Sequence, residues 1–268
     1  MVDFQCKNFY DWEDFLQIIR LLRSPGGCPW DAEQDHQSIR RDFLEETYEA
    51  LDALDRDDVP AMCEELGDVL MQVAFHSVIE EEQGRFTPAD VVNGIAQKMV
   101  YRHPHVFGGT MQADTSEQVL VNWEALKRQE KGQSSTADAI EAVPHTLPAL
   151  WRAEKVQKKT AKTGFDWDNA LSAVDKLEEE VRELRAALES GKEIDAPHGL
   201  REEIGDTLFI AAKVAQMTGV DPEDALHCAC DKFDARFRLV ENGAEKPLAE
   251  YSKEELLALW KEAKKQLS

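Results

Sequence analysis

The chain has 268 residues, of which 43% are apolar, and its 53 acidic and 31 basic side chains give a formal net charge of −22. This length allows one or two domains, each able to bury a core of its own. Because so acidic a surface repels polyanions, the charge argues against nucleic acid or an anionic membrane as a partner, and an anionic small substrate would need a metal cation to mediate its binding.

The start of the chain, from Met1 to Gln5, lacks the basic and then apolar segments of a secretory signal, and no apolar run approaches the ~20 residues of a membrane span. The five cysteines form no Cys-x-x-Cys pair. Cys228 and Cys230 would point apart on a helix, so a shared zinc ion is not expected. We expect free thiols and a cytoplasmic protein.

Apolar residues recur at three- and four-residue steps nearly throughout, without an alternating run of β-branched residues, so the pattern predicts an all-α fold. Prolines at first-turn positions and glycines at helix ends divide this pattern into separate helices. In chain order the predicted helices span residues 10–23, 37–55, 60–83, 88–102, 116–131, 148–162, 170–190, 197–218, 222–241 and 253–267.

The two halves of the chain repeat one another at an offset of 134 to 138 residues. The matched motifs, N-terminal copy first, are Gly27-Cys28-Pro29-Trp30-Asp31 with Gly164-Phe165-Asp166-Trp167-Asp168, Glu46-x-x-Glu49 with Glu180-x-x-Glu183, Glu65-Leu66-Gly67-Asp68 with Glu203-Ile204-Gly205-Asp206, Lys98-x-x-x-Arg102 with Lys232-x-x-x-Arg236, and Trp123-x-x-x-Lys127 with Trp260-x-x-x-Lys264. Acidic residues alone are too common here to exclude coincidence, but the tryptophan and basic motifs recur in the same order. The pattern predicts an internal duplication: two tandem carboxylate-lined helical-bundle units of about five helices each, at 1–131 and 149–268, with a linker at 132–148.

The carboxylates of each copy are spaced for metal binding. Side chains three residues apart on a helix share a face, so Glu180 and Glu183 can meet Glu203 and Asp206 of the next helix. Four hard oxygen donors suit Mg²⁺, with Mn²⁺ as a substitute, and the quartet lacks the histidines of a di-iron site. The equivalent N-terminal quartet is Glu46, Glu49, Glu65 and Asp68. The alternative for either set is a solvated acidic helix face.

Gly67 and Gly205 interrupt otherwise good helices at the same point of both copies. A glycine inside a helix costs ~1 kcal/mol relative to alanine. Their recurrence predicts the close approach of another backbone or of a ligand.

Basic residues recur beside the carboxylates in both copies. Lys232 and Arg236 lie four apart on one helix, and Lys264 lies on the last, which favours phosphate binding over surface ion pairs. Trp260 is either a core residue or a stacking face for a base. Lys176 stands one turn before Glu180, where the N-terminal copy has Asp42, so the charges predict a more active C-terminal copy.

These motifs resemble the all-α nucleoside triphosphate pyrophosphohydrolase superfamily. The duplicated form, with Gly-Cys-Pro-Trp-Asp, Leu-Glu-Glu-Thr-Tyr-Glu, Glu-Leu-Gly-Asp, Arg-His-Pro-His-Val-Phe and Gly-Phe-Asp-Trp, is similar to the bacterial MazG proteins over essentially the whole chain. The resemblance implies Mg²⁺-dependent hydrolysis of NTPs or dNTPs to monophosphate and pyrophosphate, and a role in removing unwanted nucleotides or restraining alarmone levels. It also implies homodimers with intertwined helices, and a catalytic C-terminal copy.

The resemblance also implies roles for individual residues. The metal ligands would be Glu180, Glu183, Glu203 and Asp206. The nucleotide contacts would be Lys176, Lys232, Arg236, Trp260 and Lys264. Apart from the resemblance, Glu179 and Glu202 are predicted to lie among the nucleotide-binding residues, and one of them is predicted to orient the attacking water. The segment Asp195–Gly199 departs from the family pattern, which leaves nucleotide contacts there open.

Two other functions fit the same residues. A dimeric dUTPase of the same superfamily would share the carboxylates and differ in substrate. A non-catalytic helical dimerisation scaffold would keep the acidic faces without turnover.

Overall fold

The computed structural model describes residue 2 and residues 4–108, 115–130 and 135–267. Every regular element in these ranges is helical, which confirms the predicted all-α class. The chain divides into two compact units, Met1–Glu130 and Lys131–Ser268. None of the helices in the described ranges combines the length and apolar character needed to cross a membrane.

The first unit begins with a long helix and then a short one. Its helices are α1 (Trp12–Arg23), α2 (Pro29–Glu33), α3 (Arg40–Asp55), α4 (Val59–Glu82), α5 (Pro88–Arg102), α6 (Pro104–Phe107) and α7 (Ser116–Glu130). The short helices α2 and α6 were not predicted. Each has proline at its first position, where the missing N–H removes no hydrogen bond and the fixed φ suits a helix.

The second unit contains the predicted long helices and one additional short helix. Its helices are α8 (Thr136–Glu141), α9 (Ala149–Ala161), α10 (Ala170–Ser190), α11 (Leu200–Thr218), α12 (Pro222–Asn242) and α13 (Lys253–Gln266), with a 3₁₀ turn at Leu248–Glu250. Helix α8 lies within 132–148, the tract predicted to be a linker. It starts at a capping box formed by Ser135 and Asp138 and packs against α9.

The core of the first unit lies between α1 and α4. Its buried apolar side chains are Leu16, Ile19, Ile39, Ala74, Phe75, Val78 and Ile79. Arg23 donates hydrogen bonds to the backbone oxygens of Asp31 and Gln34, at 2.7 and 3.0 Å, and pairs with Glu82 at 2.8 Å. These contacts hold the segment after α1 against α4. Helix α3 also packs along α4.

A polar cluster joins the segment before α3 to the C-terminal half of α4. The Nδ1 atoms of His36 and His76 lie 2.7 Å apart, and His36 also pairs with Glu80. The Arg85 guanidinium, followed by His36, lowers the pKa of Glu80 to about 2. Glu80 therefore stays ionised at neutral pH, where it accepts hydrogen bonds from the Arg85 guanidinium.

Helices α10 and α11 form the main pair of the second unit, and α9 and α12 pack against α11. The Asn169 side chain caps α10, and Gly191 ends it in the left-handed conformation at φ 62°.

The segment before α10 is held to α11 by a buried lysine. Lys213 has 1% of its surface exposed, pairs with Asp166 and donates to Gln216 Oε1 at 2.6 Å. Its Nζ also lies 5.7 Å from the ring centre of Trp167. Because a buried charge is stable only when it is paired, these contacts fix the start of the carboxylate-bearing helix.

Candidate metal and nucleotide site

Three of the four predicted C-terminal carboxylates converge. Glu180 of α10 and Glu203 and Asp206 of α11 each offer an oxygen within 4.8 Å of the others. Glu180 and Glu203 are only 5% and 4% exposed. Burial, followed by repulsion from Glu180 and Glu202, raises the pKa of Asp206. So many crowded carboxylates are unfavourable without a cation, and an all-oxygen set fits a hard divalent ion.

The fourth predicted ligand, Glu183, is exposed and is not one of this converging group. It lies one turn beyond Glu180 on α10. The expectation of four convergent oxygens therefore holds for three side chains in this structure.

The N-terminal copy gathers a different set of three. Glu46, Glu49 and Glu65 each offer an oxygen within 4.8 Å of the others, and Asp68 is not in this group. Burial, followed by repulsion from Asp68 and Glu49, raises the pKa of Glu46. All four side chains thus lie near one another. The convergent group of this copy includes Glu49, whereas the convergent group of the C-terminal copy includes Asp206.

The residue one turn before the first carboxylate differs in charge between the copies. Lys176 Nζ lies 2.8 Å from Glu180 Oε1 and 2.6 Å from Glu179 Oε1, and these bonds, Glu179 first, raise the lysine's pKa. Asp42 instead adds to the repulsion that raises the pKa of Glu46. The C-terminal site is therefore less negative than the N-terminal one.

The two candidates for orienting water are both engaged. Glu179 is exposed and paired with Lys176, while Glu202 accepts a hydrogen bond from the backbone N–H of His198 at 2.7 Å. His198 Nδ1 also lies 3.6 Å from Glu202 Oε1 and 3.8 Å from Glu203 Oε1.

Sequence reasoning missed His198, which lies in the segment that departs from the family pattern. Its backbone adopts the left-handed region at φ 54°, which is uncommon for a residue other than glycine. This conformation brings its N–H and its ring to the start of α11. The only sequence indication was a histidine four residues before an acidic one, which is a weak pattern.

The space around Gly67 and Gly205 is open. A Cβ atom placed on either would meet no other described atom within 4 Å. No other backbone of the described residues approaches either glycine, and both glycines are exposed. The approach of a ligand or of another backbone to these glycines stays a prediction.

The predicted phosphate-binding residues lie on α12 and α13. Lys232 and Lys264 are exposed, whereas the Nε atom of Arg236 is buried and has no hydrogen-bond partner among the described residues. Trp260 is half-buried, with its ring centre 5.1 Å from that of Phe233. Helix α12 packs against α11, but no described ion pair joins these side chains to the carboxylates.

Comparison with known proteins matches both carboxylate clusters to one kind of domain. A family model described as the MazG nucleotide pyrophosphohydrolase domain matches residues 34–107 and again residues 169–240. The first range contains the N-terminal carboxylates, and the second contains Glu180, Glu203 and Asp206.

Several curated relatives are similar over most of the chain. The nucleoside triphosphate pyrophosphohydrolase/pyrophosphatase MazG of Thermotoga maritima is 40% identical over 256 residues, covering 94% of this chain and 95% of the relative. The nucleoside triphosphate pyrophosphohydrolase of Escherichia coli K12 is 43% identical over 227 residues, covering 84% and 85%. The uncharacterized protein YabN of Bacillus subtilis is 44% identical over 259 residues. The match covers 96% of this chain but 52% of YabN, so the chain spans about half of that relative's length.

Proposed function

Since the chain belongs to the MazG family of nucleotide pyrophosphohydrolases, we propose that it hydrolyses nucleoside triphosphates to the monophosphate and pyrophosphate with the help of a divalent cation, preferably Mg²⁺. The observation that carries the proposal is the convergence of Glu180, Glu203 and Asp206 within 4.8 Å beside Lys176. These carboxylates would hold the cation, which when bound supplies charge neutralisation and lowers the pKa of water. Mn²⁺ fits the same oxygen donors.

The chain's own residues account for binding of the substrate. Lys176, which pairs with Glu179 and Glu180, would donate to a triphosphate oxygen beside the carboxylates that would hold the cation. Arg236 has an unsatisfied Nε with which to bind a second phosphate oxygen, as charge-assisted hydrogen bonds favour. Lys232 and Lys264 add positive charge on the adjoining helices.

The remaining predicted contacts have distinct tasks. Trp260, braced by Phe233, offers an aromatic face on which a base can stack. Glu202, fixed by the His198 N–H, orients the water that attacks the α-phosphorus, and Glu179 is the alternative for this task. Glu183 would complete the ligand set from one turn along α10.

We also propose that the protein is a homodimer with intertwined helices. The site helices expose large apolar side chains, among them Val181, Leu188, Ile204 and Leu208, at 45, 61, 47 and 50%. A second copy would cover them and would fill the open space beside Gly205.

Light scattering should give twice the mass of one chain, and a single-chain mass across micromolar concentrations would contradict the dimer. The strongly negative charge argues against nucleic acid or a membrane as the partner.

The products test the reaction. We expect each of the common NTPs and dNTPs that is turned over to yield monophosphate and pyrophosphate, because the carboxylates and cations would place water at the α-phosphorus. Chromatography of the products against standards measures this directly. Nucleoside diphosphate with orthophosphate would contradict the proposal.

The same substrate panel separates the other candidates. Turnover of dUTP alone would favour the dUTPase-like alternative, and no turnover with any nucleotide would favour the scaffold. Turnover of many nucleotides would fit a role in clearing unwanted nucleotides or restraining alarmone levels.

A further inference from the structure

Arg102 and Arg236, which are equivalent in the two copies, differ in their hydrogen bonding. Arg102, at the end of α5, donates from Nε and Nη2 to one oxygen of Glu130, at 2.9 and 2.6 Å. Its side chain is only 7% exposed, and its guanidinium carbon lies 5.5 Å from the ring centre of Trp123. Glu130 is the last residue of α7, so this ion pair joins the C-terminal end of α7 to the C-terminal end of α5.

The C-terminal copy lacks this carboxylate. Arg236 corresponds to Arg102, and its Nε is buried without a hydrogen-bond partner in the described ranges. At the offset of 137 residues that relates Trp123 to Trp260, the counterpart of Glu130 is Leu267, which carries no charge. The arginine of the C-terminal copy thus keeps donor capacity that the arginine of the N-terminal copy has already used.

Carboxylate and phosphate oxygens bind a guanidinium in the same way, through short charge-assisted hydrogen bonds. Under the proposed function, Arg236 binds a phosphate oxygen of the substrate, so Glu130 stands where that oxygen would lie in the N-terminal copy. The ring of Trp123 is engaged as well. Lys127 Nζ lies 5.2 Å from its centre, in addition to the Arg102 guanidinium.

We propose that Glu130 acts as an internal mimic of a nucleotide phosphate, and that it keeps a second nucleotide-binding site in the N-terminal unit closed. The ligand of the opened site is the polyphosphate of a nucleoside triphosphate, bound at Arg102 beside the Trp123 ring. This inference rests on the proposed function, since it takes Arg236 as a phosphate-binding residue. It goes further by assigning a closed site to the other copy and naming the side chain that closes it.

The test is the number of nucleotides bound per chain. Isothermal titration of the full chain with an α,β-methylene ATP analogue and Mg²⁺ should give one site per chain. Glu130→Gln should give a second site, with the affinity of the N-terminal unit raised at least about tenfold because Arg102 is freed for phosphate. Glu117→Gln, an acidic residue at the other end of α7, is the matched control and should leave one site.

Two further variants assign the effect to the ion pair. Glu130→Leu introduces the residue that the C-terminal copy has at this position and should also open the second site. Adding Arg102→Ala to Glu130→Gln should remove the second site again. A circular dichroism spectrum equal to that of the parent chain shows that each variant is folded.

The possible results are distinguishable. One site in both folded Glu130 variants, with unchanged affinity, overturns the inference and leaves the proposed function intact. A parent chain that binds no analogue and turns over no nucleotide contradicts the proposed function itself. Two sites in the parent chain would also overturn the inference, because the N-terminal unit would then be open while Glu130 is present.

Discussion

Replacing Glu180 by glutamine is expected to lower kcat/KM for nucleoside triphosphates by at least about 100-fold, whereas Glu46→Gln should keep most of the activity. A metal supplies several kcal/mol of transition-state stabilisation, and ~1.4 kcal/mol corresponds to a factor of ten in rate. Glu180 is buried beside Lys176, so its replacement would remove both a proposed metal ligand and the ion-pair partner of Lys176. Glu46 lies instead in a cluster made more negative by Asp42. Pyrophosphate release measured for both variants side by side decides the matter.

Both substitutions remove one charge at equivalent positions, so each is the control for the other. Equal losses, or a larger loss in Glu46→Gln, would show that the charge difference between Lys176 and Asp42 does not decide which copy is active. Glu183→Gln and Glu49→Gln form a second matched pair. A large loss in Glu183→Gln would place that exposed side chain in the ligand set of the working site.

Removal of divalent cations is expected to reduce turnover to the background rate. Glu180, Glu203 and Asp206 offer only carboxylate oxygens, which bind hard cations and cannot replace them in neutralising a triphosphate. Dialysis against a chelator followed by return of Mg²⁺ or Mn²⁺ should restore pyrophosphate release. Turnover that continues undiminished in the chelator would contradict the role of the cluster.

Metal binding can also be measured without activity. An ion that binds the folded state alone stabilises it. Mg²⁺ should therefore raise the midpoint of thermal unfolding more in the parent chain than in Asp206→Asn. The same rise in both would show that Asp206 is not a ligand.

Helical periodicity predicted the long helices and the carboxylate-bearing faces of α10 and α11, because spacing along one helix follows from its geometry. It did not distinguish Glu183 from Glu180. Two residues three apart share a face, but only packing against the neighbouring helix determines which of them turns inward. The short helices were missed for a related reason, since a few residues are too short for a period to show.

Contacts between distant residues lay beyond the sequence. Arg102 and Glu130 are 28 residues apart, and nothing in their spacing links them. The left-handed backbone at His198 likewise could not be predicted from its residue type, because positive φ is uncommon for any residue other than glycine. The duplication was the most informative sequence feature, because it made each copy a reference for the other.

The buried amine of Lys213 allows local opening of the second unit to be detected by chemical labelling. An acylating reagent in solution cannot reach a side chain that is 1% exposed and paired with Asp166, so the native protein should leave this lysine unlabelled while exposed lysines react. Labelling at Lys213 would then require the segment before α10 to separate from α11. Mass spectrometry of that single modification over time would measure how often the segment before α10 separates from α11, the helix that carries Glu203 and Asp206.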